Sequence, residues 1–200
     1  ALNATYGVRR ALLQLLDDDY SIAGDEPVLE VPQSGHCWIV SGRHGRTLVS
    51  RTLPIWDVDD VNAEEADETL ESRFRSILEK AAPNELFRIY RTRGGIRVIC
   101  TSRVIDDVGM KPDLKWFYDL AVEMNADQTY VGLCCRQKTF RARLDPKKSR
   151  QGVSCPDNAR ACRLIGTDIG NGTANASLMA QVNFHDRATM ALFQHGRELF

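Results

Sequence analysis

The chain has 200 residues, a net charge of −1, 43% hydrophobic residues and 26% charged residues. This composition is typical of a globular protein, and it excludes intrinsic disorder for most of the chain. No apolar run approaches the roughly 20 residues that a membrane-spanning helix needs, so we expect no membrane partner. Because the net charge is close to zero, any attraction to nucleic acid must come from a local patch of positive charge.

The length predicts a single domain over residues 1–200. The chain starts at Ala1 rather than at methionine, which allows it to be a fragment of a longer chain. Its first ten residues lack the basic start and apolar core of a signal peptide, so we expect a cytoplasmic location. Six cysteines include no CxxC pair, and we expect buried reduced thiols rather than a disulfide framework or a zinc site.

The first half of the chain predicts two helices separated by short strands. In chain order, the predicted elements are a helix at 2–16, strands at 28–31, 37–40 and 47–49, and a helix at 63–81. The second helix is the clearest element, because its apolar residues from Leu70 to Ala81 fall on one face. We expect Asn62 to cap it, with Glu65 at the capping-box spacing, and Pro83 to end it.

The second half predicts a hairpin followed by alternating elements. These are strands at 87–90 and 96–101 around a Gly94-Gly95 turn, a helix at 113–124, strands at 130–135, 139–144, 162–165 and 178–184, and a closing helix at 186–195. A polar loop is expected at 145–160. The hairpin-like pairs predict an α+β fold with helices packed on an antiparallel or mixed sheet. A doubly wound fold is the alternative, although its GxGxxG motif is absent.

Two aspartates, Asp57 and Asp59, follow the apolar run 53–56. On a strand, residues i and i+2 point to the same face, so the two carboxylates would lie side by side. Such carboxylates repel each other unless a cation lies between them, and hard oxygen ligands suit Mg²⁺ or Mn²⁺. A metal pair is one interpretation, and an acidic turn before the next helix is the other.

Three arginines, Arg91, Arg93 and Arg97, surround the turn formed by Gly94 and Gly95. Glycines let backbone amides approach a phosphate, and one arginine guanidinium can bind two phosphate oxygens at once. These residues predict a site for a triphosphate or for a nucleic-acid backbone. A hairpin with an exposed basic face is the alternative.

A basic stripe occupies residues 136–150. Its cationic members are Arg136, Lys138, Arg141, Arg143, Lys147, Lys148 and Arg150. On a strand, Arg141 and Arg143 would face one side while Phe140 and Ala142 face the other. A local stripe in a nearly neutral chain is typical of a polyanion site, and a solvated charge run is the alternative. The pair His185-Asp186 fits an acid/base role or a structural one.

In this order, the motifs resemble those of the archaeo-eukaryotic primase/polymerase superfamily. Residues 55–59 (IWDVD) are similar to its apolar strand that ends in a DxD metal pair. Residues 92–98 (TRGGIRV) are similar to its hairpin with a small residue, a glycine and a nucleotide-contacting histidine, with Arg97 in place of the histidine. Leu144-Asp145 or Thr167-Asp168 could supply its later acidic residue.

The resemblance implies a primase-like core and a metal-dependent nucleotidyltransferase that acts on nucleic acid. Asp57 and Asp59 would hold Mg²⁺ or Mn²⁺, with Asp145 as a third ligand. The implied nucleoside-triphosphate site comprises Arg91, Arg93, Gly94, Gly95 and Arg97. The implied nucleic-acid site comprises Arg136, Lys138, Arg141, Arg143, Lys147 and Lys148.

Two other functions stay open from the sequence. One is a non-catalytic domain that binds nucleic acid or a nucleotide through the stripe 136–150. The other is a structural or partner-binding domain whose charges only solvate its surface. The stretches 87–103 (FRIYRTRGGIRVICTSR) and 134–147 (CCRQKTFRARLDPK) also resemble a group of bacterial proteins of unassigned function, a similarity that implies no activity.

Overall fold

The structure, a computed structural model, describes seven segments of the chain. They are residues 29–30, 37–42, 45–59, 61–62, 64–105, 110–146 and 160–192. The helix predicted at 2–16 and most of the loop predicted at 145–160 lie outside them, as do Lys147 and Lys148. Among the described helices, none has the length and apolar character needed to cross a membrane.

The described residues form eight strands and four helices. They are β1 (Leu29–Glu30), β2 (Cys37–Gly42), β3 (Gly45–Ser50), β4 (Ile55–Asp59), α1 (Asp67–Ala81), β5 (Phe87–Thr92), β6 (Gly95–Cys100), α2 (Met110–Glu123), α3 (Gln128–Gln137), β7 (Phe140–Arg143), β8 (Cys162–Ile169) and α4 (Ala176–Thr189). The strands pair in the orders β1-β2-β3-β7 and β4-β6-β5-β8, and every pair is antiparallel. The predicted α+β class is therefore confirmed, with two antiparallel sheets.

The core is one cluster that includes residues of both sheets, such as Leu48 and Phe140 of the first, and most of its strand residues lie in the second. Every residue of β6 is buried, and Trp56 of β4 stacks on Phe117 of α2 with 4.7 Å between ring centroids. The Trp56 indole N–H also donates to the backbone oxygen of Phe117 at 3.0 Å, so its polar atom is satisfied. Helix α1 buries Leu70, Phe74 and Leu78, as its apolar face predicts. Each large side chain buried in this way contributes about 1.5–3 kcal/mol.

The hairpin predicted around Gly94-Gly95 is confirmed by the pairing of β5 with β6. Gly95 is required there for packing, because a Cβ atom on it would lie 1.8 Å from the backbone oxygen of Val58. Strand β6 can therefore approach β4 closely. The resulting register places Arg97 opposite Asp57 and Gly95 opposite Asp59, which sets one wall of the site described below.

Two predicted strands are helices instead. Residues 130–135 lie in α3, and residues 178–184 lie in α4. A short apolar run does not distinguish a strand from a buried helix, and here the capping residues decide. Asp127 accepts from the backbone amides of Thr129 and Tyr130, and Asn175 caps α4 in the same way. The closing helix predicted at 186–195 is the end of α4, which stops at Thr189.

Helix α1 begins at Asp67 rather than at residue 63, and Asn62 is not its cap. The Asn62 side chain instead accepts from the amide of Glu64 in a turn before the helix. The Arg91 guanidinium donates to the backbone oxygens of Asn62 and Glu65, at 2.9 and 3.3 Å. These bonds hold Asn62 and Glu65 against β5. They compete with a helical conformation there, so α1 starts later than predicted.

The five cysteines that the structure describes are free thiols. Cys37, Cys100, Cys134 and Cys162 are buried, and Cys135 is half-buried. Burial raises the pKa of the Cys37 thiol to about 12, so that it stays protonated. None of these five forms a disulfide and four of them are buried, while Cys155 lies outside the described residues.

Candidate functional site

A pocket of about 190 Å³ opens where β4, the β5–β6 turn, the start of α3 and the end of β7 meet. Seven of the side chains that line it are charged: Asp57, Asp59, Asp127, Asp145, Arg93, Arg97 and Arg143. The pocket therefore carries both carboxylates for a cation and guanidinium groups for an anion. Neither Asp57 nor Asp59 caps α1, whose N-terminal cap is Ala66.

The wall formed by β4 and β6 is built on the pair Asp57–Arg97. Arg97 Nε lies 2.8 Å from Asp57 Oδ1, and Arg97 Nη2 lies 3.1 Å from Oδ2, which makes the pair bidentate. The side chain of Arg97 is 6% exposed and that of Asp57 is 33% exposed. Burial lowers the pKa of Arg97, but the charge of Asp57 raises it, and the net shift is upward. Arg97 is therefore a fixed positive charge behind a carboxylate that reaches the pocket.

A buried polar network stands behind this wall. Arg97 Nη1 donates to the backbone oxygen of Arg143 at 3.0 Å and lies 3.3 Å from His185 Nε2. His185 Nδ1 lies 3.0 Å from Asp186 Oδ1, and the other Asp186 oxygen accepts from Arg88 at 2.6 Å. The predicted pair His185-Asp186 thus touches the site through Arg97 and does not line the pocket.

The opposite wall, formed by β3 and β7, is built on the pair Arg46–Asp145. Arg46 donates to Asp145 from its backbone amide at 2.6 Å and from Nη2 at 2.7 Å. Burial raises the pKa of Asp145, but these hydrogen bonds lower it, and the net shift is downward. Gly45 adopts φ +100°, and a Cβ there would lie 2.9 Å from Asp145 Oδ2. Sequence analysis missed Arg46, because its partner lies 99 residues away in the chain.

Asp127 and Tyr130 also line the pocket and were not predicted. The backbone amide of Asp127 donates to the backbone oxygen of Asp57 at 3.0 Å. The Tyr130 hydroxyl donates to the backbone oxygen of Arg141 at 2.9 Å, accepts from its amide at 3.0 Å, and lies 3.3 Å from the oxygen of Ile55. It therefore links β4 to β7. Asp127 is a residue type that commonly caps helices. It was not predicted as a cap because residues 130–135 were predicted to form a strand.

The residues predicted to bind a nucleotide fall into two groups. Arg93, Gly94 and Arg97 line the pocket. Gly95 is buried against β4, and Arg91 is buried with its guanidinium on the backbone oxygens before α1. These two residues therefore support the shape of the hairpin.

Of the two acidic residues proposed to complete the site, the fold brings only one to the pocket. Asp145 lines it, next to Ala161 at the start of β8. Asp168 lies near the other end of β8, exposed and with φ +52°. At roughly 3.3 Å per residue, the step of six positions from Cys162 to Asp168 spans about 20 Å. Asp168 is thus remote from Asp57 and Asp59.

The basic stripe reaches the site through β7. Phe140 and Ala142 are buried while Arg141 and Arg143 are half-buried, as the predicted alternation requires. A second pocket of about 260 Å³ adjoins the first, and Arg141 and Arg143 both line it. The remaining described members of the stripe, Arg136 and Lys138, are exposed at the end of α3.

The carboxylates fit a divalent cation that shares its coordination with a phosphate. Within the part of the chain that the structure describes, no group of three or more His, Cys, Asp or Glu side chains could hold a metal ion. Mg²⁺ needs fewer, because proteins commonly bind it through one or two carboxylates, several waters and substrate phosphates. Asp57 and Asp59 are such a pair on one strand, although Arg97 engages Asp57 as Arg46 engages Asp145.

Comparison of the chain with protein-family models, curated proteins and solved structures gave no match. Function must therefore be inferred from the chemistry of the pocket itself. Its informative features are two adjacent carboxylates on β4, an exposed arginine beside a glycine turn, and a basic strand that leads away from them.

Proposed function

We propose that the chain is a primase/polymerase-like, metal-dependent nucleotidyltransferase that acts on nucleic acid, with its nucleoside-triphosphate site in the first pocket. The observation that supports this proposal is the convergence of Asp57 and Asp59 with Arg93 and Arg97 on one pocket. A triphosphate bound with Mg²⁺ or Mn²⁺ presents both charges, and this pocket offers a partner for each.

Different residues of the pocket would bind the cation and the phosphate. Asp57 and Asp59 would hold the cation, which when bound offsets the charge of the triphosphate and of the leaving group. Arg93 is exposed at the turn, where its guanidinium can bind phosphate oxygens. Gly94 leaves the pocket open beside Asp59, since a Cβ there would lie 3.8 Å from Asp59 Oδ1. Arg97 orients Asp57 by its bidentate contact.

Arg141 and Arg143 would bind the nucleic acid. Both lie on the less buried face of β7, and the second pocket that they line shares Asp57 and Asp127 with the first. A polynucleotide backbone along this strand would reach the carboxylates at its end. Binding of this kind weakens steeply as the salt concentration rises, because bound counterions are released.

The proposal is tested by titrating the protein with Mn²⁺, with and without a nucleoside triphosphate, in a calorimeter. Asp59→Asn is the informative variant, because Asp59 is exposed whereas Asp57 belongs to a buried pair. Asp119→Asn is the matched control, since Asp119 is an exposed aspartate of α2 that pairs with Lys115.

We expect saturable Mn²⁺ binding that the triphosphate strengthens, and an affinity at least about tenfold weaker in Asp59→Asn. Asp119→Asn should match the parent. Nucleotide incorporation on a primed template should follow the same order. A parent protein that binds no Mn²⁺ in the presence of triphosphate, or an Asp59→Asn variant that incorporates nucleotide normally, would refute the proposal.

A non-catalytic nucleotide- or nucleic-acid-binding domain is the second candidate. The pair Asp57–Arg97 favours it, because the charge of Asp57 is already balanced without a metal ion. This candidate predicts oligonucleotide binding that is sensitive to salt and unchanged by a chelator. Binding that requires Mn²⁺ would exclude it and support the enzyme.

A further inference from the structure

Arg97 is held from three directions at once. Its Nε and Nη2 groups bind Asp57 of β4, and its Nη1 group donates to the backbone oxygen of Arg143 on β7. The third direction is α4, where His185 Nε2 lies 3.3 Å from Nη1. Because Arg97 is buried, solvent does not replace a partner that is lost.

The contacts of His185 determine which of its nitrogens carries the proton. Arginine only donates hydrogen bonds, so His185 Nε2 must accept from Arg97. The proton therefore resides on Nδ1, which donates to Asp186 Oδ1 at 3.0 Å. Asp186 is in turn fixed by Arg88 at 2.6 Å, and the Tyr90 ring packs edge-on to the imidazole at a centroid distance of 5.0 Å. Cys162 of β8 is a further hydrogen-bond partner of the imidazole, and together these contacts fix its orientation.

We infer that His185, oriented by Asp186, is a positioning residue for the pocket. It fixes the guanidinium of Arg97, and through Arg97 it fixes the Asp57 carboxylate. The importance of Asp57 rests on the proposed function, whereas the effect of His185 on Arg97 does not. Hydrogen-bond partners of this kind commonly set ligand orientation in metal sites, and their loss costs about 10- to 100-fold in metal affinity.

Two substitutions separate positioning from packing. His185→Gln can place its amide oxygen near the position of Nε2 and keep the acceptor for Arg97. His185→Asn can place its amide nitrogen near the position of Nδ1, which keeps the contact with Asp186 but loses the contact with Arg97. Asparagine is the smaller of the two, so packing alone also favours glutamine in the free energy of unfolding at this buried position. Positioning is therefore measured at the Arg97 guanidinium in the folded protein rather than by stability.

The first measurement is hydrogen exchange of the Arg97 Nε–H group by ¹⁵N NMR, without any ligand. We expect His185→Asn to speed this exchange at least about tenfold and His185→Gln to stay close to the parent. The second measurement is Mn²⁺ affinity in the presence of triphosphate. It should fall about tenfold in His185→Asn and be largely recovered in His185→Gln.

The two measurements test the positioning role of His185 and the proposed function independently. Exchange at Arg97 that is equally slow in parent and His185→Asn overturns the positioning role, whatever the metal affinity. A parent that binds no Mn²⁺ refutes the proposed function, and the exchange data alone then decide the role of His185. If His185→Asn does not fold, Asp186→Asn removes the charge that orients the imidazole. Faster exchange at Arg97 would then support the role, and unchanged exchange would overturn it.

Discussion

The two walls of the pocket hold their charges in different ways. On the wall of β4 and β6, the pair Asp57–Arg97 has its guanidinium only 6% exposed, and further buried polar groups stand behind it. On the wall of β3 and β7, Arg46 is 49% exposed. The two carboxylates are alike, at 33% for Asp57 and 29% for Asp145, so the walls differ in their arginines. The first wall therefore has a fixed geometry, whereas solvent competes for the partners of the second.

The two walls should therefore contribute differently to the stability of the fold and to the binding of a ligand. A buried charge must keep its partner, so the first wall contributes strongly to whether the protein folds. An exposed pair contributes little to stability, so its residues can exchange partners when a ligand arrives. Substitutions on the two walls should therefore differ in how much they lower the free energy of unfolding.

The largest effect is expected from Asp57→Ala. The substitution leaves the buried Arg97 guanidinium without its carboxylate, and such a loss typically costs about 3–5 kcal/mol. Chemical denaturation of the parent and the variant measures it. A loss below about 1 kcal/mol, the value for an exposed pair, would remove the distinction between the two walls.

Gly95→Ala should also destabilise the first wall. The added Cβ would lie 1.8 Å from the backbone oxygen of Val58, so β6 must move away from β4. Overpacking of this kind costs about 1–3 kcal/mol. Gly94→Ala is the matched control, because its nearest neighbour would lie 3.8 Å away, and it should change stability by less than about 0.5 kcal/mol. Equal losses in both variants would contradict the assigned role of Gly95.

Asp127 lies between the walls, and two substitutions separate its cap from its charge. Asp127→Ala removes the acceptor for the first amides of α3 and should cost about 1 kcal/mol. Asp127→Asn keeps an acceptor that caps helices equally well, so its unfolding midpoint should match that of the parent. If Asp127→Asn were as unstable as Asp127→Ala, the charge rather than the cap would stabilise this region.

The smallest effect is expected on the exposed wall, from Asp145→Asn. At neutral pH it should cost less than about 1 kcal/mol. The folded pKa of Asp145 is lowered, so its contribution is present above its unfolded pKa of about 4 and is lost as the pH falls through the folded pKa. The difference in unfolding free energy between parent and variant should therefore be larger at pH 7 than at pH 3. A difference that grows on acidification would have the wrong sign.

Local patterns predicted the parts of the fold that depend on neighbouring residues. The hairpin around Gly94-Gly95 and the buried face of α1 follow from turn chemistry and from helical spacing. The strand parity of Asp57 and Asp59 also placed both carboxylates on one pocket. Each of these features is set by contacts within a few residues.

The errors arose where tertiary packing overrides a short pattern. The run 130–135 is rich in residues that favour strands, yet Asp127 caps it as a helix. The partners of the pocket residues could not be predicted either, since 40 residues separate Asp57 from Arg97 and 88 separate Arg97 from His185. Such pairings depend on how the two sheets and α4 come together.

The hydroxyl of Tyr130 is a hydrogen-bonded link between the two walls of the pocket. Each sheet pairs through its own strands, and this one oxygen bonds to the backbone of both β4 and β7 beside the pocket. Replacing tyrosine by phenylalanine there would remove one link between the two walls without removing a charge or unpairing a strand. The contact of Arg97 with the backbone oxygen of Arg143 would remain, so this single atom sets how firmly the walls are joined rather than whether they are joined.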